Sequence, residues 1–176
     1  MALVMLIILY VWAPATFGNP AFFISSVVFL TVLPLLAYPL QPLFPHFRDR
    51  GREGQRTLAM VFAVAGYLLG SGEAFLANAP VRLKVIFLSY LLSGFLVVLF
   101  NKLLHVRASG HACGMAGPFA ILASFGQWAG CLGAPLLAVV WWSSLKTARH
   151  TPGQLIAGTV LPLFALMAAT VLAIRL

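Results

Sequence analysis

The chain reads as an all-α protein, a polytopic membrane helix bundle of six or seven transmembrane helices forming a single integral membrane domain over residues 1–176, and three observations lead there. Hydrophobic residues make up 62% of the chain and charged residues 8%, with a mean hydropathy of +1.02; soluble domains hold roughly 45–50% apolar and about 25% charged residues. The polar residues gather between apolar runs of about 20 residues, the length a helix needs to cross a bilayer. The short alternating segments of a transmembrane barrel are absent from the pattern. With so little chain outside the apolar runs, any chemistry must be built from helix ends and short loops.

Taken in order, Met1 to Trp12 is apolar and is followed by Ala13-Pro14-Ala15, which has the look of a cleavage site. It lacks the positively charged start of a signal peptide, so a short first helix is expected. Phe22 to Ala37 reads as a helix kinked by Pro34 and ending near Tyr38-Pro39-Leu40, because proline removes a donor and clashes with the preceding turn. Arg48 to Arg56 reads as a basic loop, Thr57 to Leu69 as an apolar run, Gly70 to Arg82 as a connecting loop, and Val85 to Leu104 as a span. Lys102, His105 and Arg107 close that span as interfacial anchors. Ser109-Gly110-His111 then opens a run to Phe125, Gly130 to Gly133 makes a turn, a further run reaches Trp142, and a polar stretch from Lys146 to His150 precedes a last helix to Arg175. Trp128, Trp141 and Trp142 suit an aromatic belt, and Gly114, Ala116 and Gly117 suit close helix packing. Cys113 and Cys131 form no C-x-x-C pair and read as small packing residues.

Counting crossings brings distant segments together. Two helices separate the basic stretch from Ser109-Gly110-His111, and two more separate that motif from His150, so all three clusters are expected at one membrane face. That face collects Arg48, Arg50, Arg52, Arg56, Lys102, Arg107, Lys146 and Arg149, against Arg82, Lys84 and Arg175 on the other. The positive-inside rule makes the crowded face cytoplasmic, unless those charges serve a substrate instead.

Both histidine stretches have the form of helix entrances. Ser109 is a good N-cap, Gly110 lets a ligand approach the backbone, and His111 falls in the first turn beside an anion-binding helix N-terminus. Pro152 suits the first helical position, which makes Thr151 the cap and leaves His150 just outside. Gln154 follows His150 by four residues and is near enough to bond one ring nitrogen and leave the other free. An imidazole held in that way can act as a nucleophile, and nearby guanidinium groups can bind phosphate.

At these residues the chain resembles the type 2 phosphatidic acid phosphatase superfamily, whose motifs are K-x6-R-P, P-S-G-H and S-R-x5-H-x3-D. Ser109-Gly110-His111 matches the core of the second motif, with Ala108 in place of proline. Ser143 and His150 match the serine and histidine of the third at its spacing, with Ser144 for the arginine and Gln154 for the aspartate. Arg56 is the first motif's arginine, followed by Thr57, while Arg50 or Arg52 stands for its lysine at a different spacing. The stretch His150-Thr151-x-x-Gln154 is also similar to the third motif of dolichyl-diphosphate phosphatases.

The resemblance implies a metal-independent, cofactor-free hydrolase acting on a lipid phosphate or isoprenoid diphosphate. His150 would attack phosphorus to form a phosphohistidine, His111 would protonate the leaving oxygen, and Gln154 would orient His150. Arg50, Arg52 and Arg56, with the N–H groups at Ser109 and Gly110, would hold the phosphoryl group, and Lys146 or Arg149 would stand in for the missing arginine. The expected partners are the lipid substrate, membrane lipids, and a second copy or other members of a membrane complex; nucleic acid is not expected. The expected location is a prokaryotic inner membrane. Two other readings remain: a phosphatase-like membrane subunit without turnover, and a haem-binding bundle using two of His46, His105, His111 and His150.

Overall fold

The computed structural model describes residues 1–103, 108–148 and 150–176; His105, Arg107 and Arg149 lie outside the described residues. Among the described residues the chain is helical, and five helices are long and apolar enough to cross a membrane: Pro20–Leu43, Gly51–Leu76, Val81–Asn101, Trp128–Lys146 and Pro152–Arg175. This is an all-helical integral membrane protein.

The first helix, α1 (Ala2–Trp12), is 11 residues long. At a rise of about 1.5 Å per residue it reaches roughly half-way through a hydrocarbon layer of about 30 Å. Met5, Leu6 and Leu9 recur at helical spacing and are fully buried against the bundle, while Val4, Ile7 and Val11 face outward. The next span begins at Asn19, whose side chain accepts from Phe22 N–H, and Pro20 occupies the first helical position.

The expected kink at Pro34 takes the form of a π-helical turn. Between α2 (Pro20–Val27) and α3 (Leu33–Leu40), residues Val28–Val32 widen so that Leu33 N–H bonds to Val28 C=O, five residues back. Pro34 thus sits in the first turn of α3, where its missing donor is harmless. A short α4 (Pro45–Arg48) leads into α5 (Gly51–Leu76).

Two expectations fail on α5, which takes in most of both segments read as loops. Arg52 and Arg56 are helical, and so is Gly70 to Leu76. At the start, Glu53 lies in the first turn, pairs with Arg50 at 2.8 Å, and gives its carbonyl to the Thr57 hydroxyl. At the end, Gly70 and Ser71 are buried, and an added side chain at Gly70 would collide with the Phe87 ring of α6 (Val81–Leu103). Glycine here serves close approach between helices rather than a turn.

The remaining helices are α7 (Gly110–Ser124), α8 (Gly133–Lys146) and α9 (Pro152–Arg175). After α7 the chain reverses at Gly126, whose φ of +76° favours glycine, and passes through a 3₁₀ turn at Trp128–Leu132. Helix α9 packs against both α6 and α7, and α5 lies between α3 and α6. The core runs through Leu83, Ile86 and Phe87 of α6, Ile121 and Leu122 of α7, and Ala169 and Ala173 of α9. Outward-facing Ile156, Phe164, Met167, Val171 and Ile174 on α9 form the kind of apolar flank that meets lipid.

Candidate functional site

The two histidine-bearing helix entrances are joined through their backbones. Ser109 N–H donates to Gln154 C=O at 2.9 Å, so the start of α7 rests on the first turn of α9. Gly158 makes this possible: a side chain there would strike the Ser109 carbonyl and the Ala112 methyl group. On its other flank the segment is held by Asn101, whose side-chain oxygen accepts from Ala108 N–H at 2.8 Å.

Each entrance is capped as the residue types suggest. The Ser109 hydroxyl is fully buried and accepts from Ala112 N–H at 3.4 Å, which commits it to its own helix. Gly110 opens the helix and is exposed, with His111 following in the first turn. At α9, the Thr151 hydroxyl accepts from Gln154 N–H at 3.4 Å, and the Gln154 side-chain oxygen accepts from Thr151 N–H at 3.3 Å. This reciprocal pair is a capping box.

The capping box also decides the chemistry of His150. Gln154 Oε1 lies 3.0 Å from His150 Nδ1. Because that oxygen already accepts from the Thr151 amide, it faces the ring as an acceptor, so Nδ1 carries the proton. The Nε2 lone pair is left available.

Residues from separate parts of the chain then line one cleft of about 560 Å³: Arg56, Gly110, His111, His150, Tyr38 and Gly114, with Met1 and Met115. The cleft combines an oriented imidazole, a second imidazole on the opposite helix entrance, and a guanidinium from the first turns of α5. Such a set suits a tetrahedral or trigonal-bipyramidal oxyanion such as phosphate. Among the described residues, no group of three or more His, Cys, Asp or Glu is placed to hold a metal ion.

The other candidate residues lie elsewhere. Arg50 is paired with Glu53, Arg52 is exposed on the first turn of α5, and neither lines the cleft. Arg48 is paired with Asp49 at 3.0 Å. Lys146 Nζ lies 4.8 Å from the centroid of the Trp142 ring, away from the cleft lining. Arg149 lies outside the described residues.

Sequence reasoning did not place Tyr38, Gly114, Met115 or Gly158 at the site; it read Tyr38 as part of a helix end and Gly114 as a packing residue. Gly114 and Met115 follow His111 by three and four residues, the spacing of one helix face. Thr151-Pro152-Gly153-Gln154 carried the capping-box signature as well. Nothing local marked Gly158, whose importance comes from the backbone it meets.

Fold and site together define a helical membrane protein whose described residues bring two histidines and one arginine to a cleft at one end of the bundle. No family model, curated protein or solved structure matches the chain.

Proposed function

We propose that the chain is a membrane phosphatase that hydrolyses a lipid phosphate or isoprenoid diphosphate through a phosphohistidine. The observation that supports this reading best is the convergence of Arg56, His111 and His150, from three separate helices and their entrances, on one cleft. His150 Nε2 attacks phosphorus while Nδ1–H donates to Gln154, and the bond to the lipid oxygen breaks as His111 delivers a proton to it. Water then attacks the phosphohistidine, His111 takes the proton, and His150 is released with inorganic phosphate. Arg56 neutralises charge on the equatorial oxygens, aided by the N-terminal turn of α7.

In this reading α7, alone or together with α1, is counted with the five long helices, giving six or seven crossings, and the protein sits in a prokaryotic inner membrane with its lipid substrate. Purified protein in vesicles is expected to release phosphate from diacylglycerol phosphate or polyprenyl diphosphate, and brief incubation with ³²P-labelled lipid is expected to leave acid-labile label on His150. Label that survives His150→Ala would overturn the assignment.

A second reading, a phosphatase-like subunit without turnover, is favoured by one feature: Ser144 stands where the family has its arginine, and Lys146 is held over Trp142. Binding of both lipids with no phosphate release from either would select it.

A further inference from the structure

Arg48, Arg50 and Arg52, which do not line the cleft, belong to an elbow at the same end of the bundle, where the chain turns from the span Pro20–Leu43 into α5. The backbone of this elbow is tied down from within. Phe47 N–H and Arg48 N–H both donate to Phe44 C=O, which closes α4. The Gln41 side-chain amide donates to Phe47 C=O at 3.0 Å and to Gly51 C=O at 2.8 Å, joining α4 to the start of α5. Gly54 lets α5 rest directly on α4, since a side chain there would strike the Phe47 carbonyl.

The elbow presents two kinds of surface side by side. Leu43 is 71% exposed and Phe44 41%, while Arg48, Arg50 and Arg52 are exposed as well. Arg48 pairs with Asp49 and Arg50 with Glu53, but both pairs are open to solvent, where an ion pair contributes little and a phosphate can exchange for the carboxylate. Arg52 makes no ion pair among the described residues. Three arginines against Asp49 and Glu53 leave one net positive charge. A soluble anion would meet that charge and leave Leu43 and Phe44 in water; a zwitterionic lipid would cover them but bring a cation of its own. An anionic phospholipid satisfies both, with acyl chains for the apolar side chains and an unneutralised phosphate for the guanidinium groups.

We propose that the elbow at residues 41–52 is a docking surface for anionic phospholipids of the surrounding bilayer. Leu43 and Phe44 enter the acyl boundary, and Arg48, Arg50 and Arg52 hold the headgroup phosphates. The lipid docks as a resident of the bilayer and not as a substrate, so the surface stands whether or not the histidine cleft turns anything over. Because Gln41 and Gly54 fix the backbone beforehand, little ordering opposes docking.

The test places an apolar fluorophore on the elbow through Leu43→Cys, with Cys113→Ser and Cys131→Ser, in the full chain in phosphatidylcholine nanodiscs that carry a small share of spin-labelled lipid. Quenching is expected to show association about fivefold stronger for spin-labelled phosphatidylglycerol than for spin-labelled phosphatidylcholine at low salt, the scale of one net cation facing anionic headgroups. The preference should fade at about 1 M salt, where the Debye length is about 3 Å. Arg48→Gln, Arg50→Gln and Arg52→Gln together should bring the ratio to about one; Glu53, left unpaired in the first turn of α5, remains favourable at a helix N-terminus, so the fold is kept. Arg48→Lys, Arg50→Lys and Arg52→Lys together should retain the ratio, because the attraction needs charge. Arg56→Ala should keep most of it, since Arg56 lines the cleft. Equal quenching by the two lipids at low salt would overturn the docking surface. So would a ratio that survives the glutamine variant, is lost in the lysine variant, falls to one with Arg56→Ala alone, or is abolished by inorganic phosphate at constant ionic strength.

Discussion

At the scale of single residues, His150 is defined less by its position than by what Gln154 does with one oxygen. Gln154 Oε1 serves the capping box of α9 and the His150 ring together. The third-motif aspartate of the similar family would offer two anionic oxygens; glutamine offers one neutral acceptor and still fixes the tautomer. Gln154→Glu is expected to keep both bonds, to place a negative charge at a helix N-terminus where it is favourable, and to raise the rate of phosphohistidine formation, read by rapid-quench labelling. Gln154→Leu loses both bonds, and should lower thermal stability by about 1 kcal/mol, the usual scale of a lost cap, together with activity. Arg56→Ala should reduce phosphate release about 100- to 1,000-fold, whereas Arg50→Ala and Arg52→Ala should change it less than about threefold, because only Arg56 of the three lines the cleft. Phosphate-release kinetics on the three variants in parallel separates them.

At the scale of elements, the site is a junction between two helix entrances. Gly158 on the second turn of α9 admits the Ser109 backbone, whose N–H reaches Gln154 C=O. Gly158→Val should push α7 from α9, destabilise the fold by about 1–3 kcal/mol and abolish activity although it touches neither histidine; thermal unfolding and phosphate release report the two effects. The helix caps at Ser109 and Thr151 were legible in the chain, since Ser-Gly and Thr-Pro announce an entrance from local chemistry alone. The flanks of α5 were not. Gly70-Ser71-Gly72 has the composition of a turn, and the part Gly70 plays inside α5, admitting the Phe87 ring of α6, is visible only once the two helices pack. In the same way Arg48 to Arg56 looks like a charged loop until the Arg50–Glu53 pair and the first turn of α5 are seen.

At the scale of the whole molecule, alternation of long helices sends the entrances of α5, α7 and α9 to one end of the bundle and the turns at Asn78 and Gly126 to the other. Single cysteines at Arg50 and Thr147, in a background with Cys113→Ser and Cys131→Ser, should label with an impermeant maleimide from one side of sealed vesicles. Cysteines at Asn78 and Gln127 should label from the opposite side. Labelling of Arg50 and Thr147 from different sides would break the alternation and with it the shared cleft.

Amino-acid order alone determined that this chain is an oily, all-helical bundle with capped entrances beside two histidines, because hydropathy, proline and N-cap preferences are local and act within a few turns. It also implied, by counting crossings, that the basic and histidine segments share a face. Which cations reach the cleft was decided by tertiary structure: Arg56 does, while Arg50 turns to Glu53 and Lys146 to Trp142. The backbone bond between Ser109 and Gln154 and the clearance at Gly158 were decided there too. Each depends on how closely two helices approach, a distance set by side chains far apart in the chain that meet only once the bundle has packed.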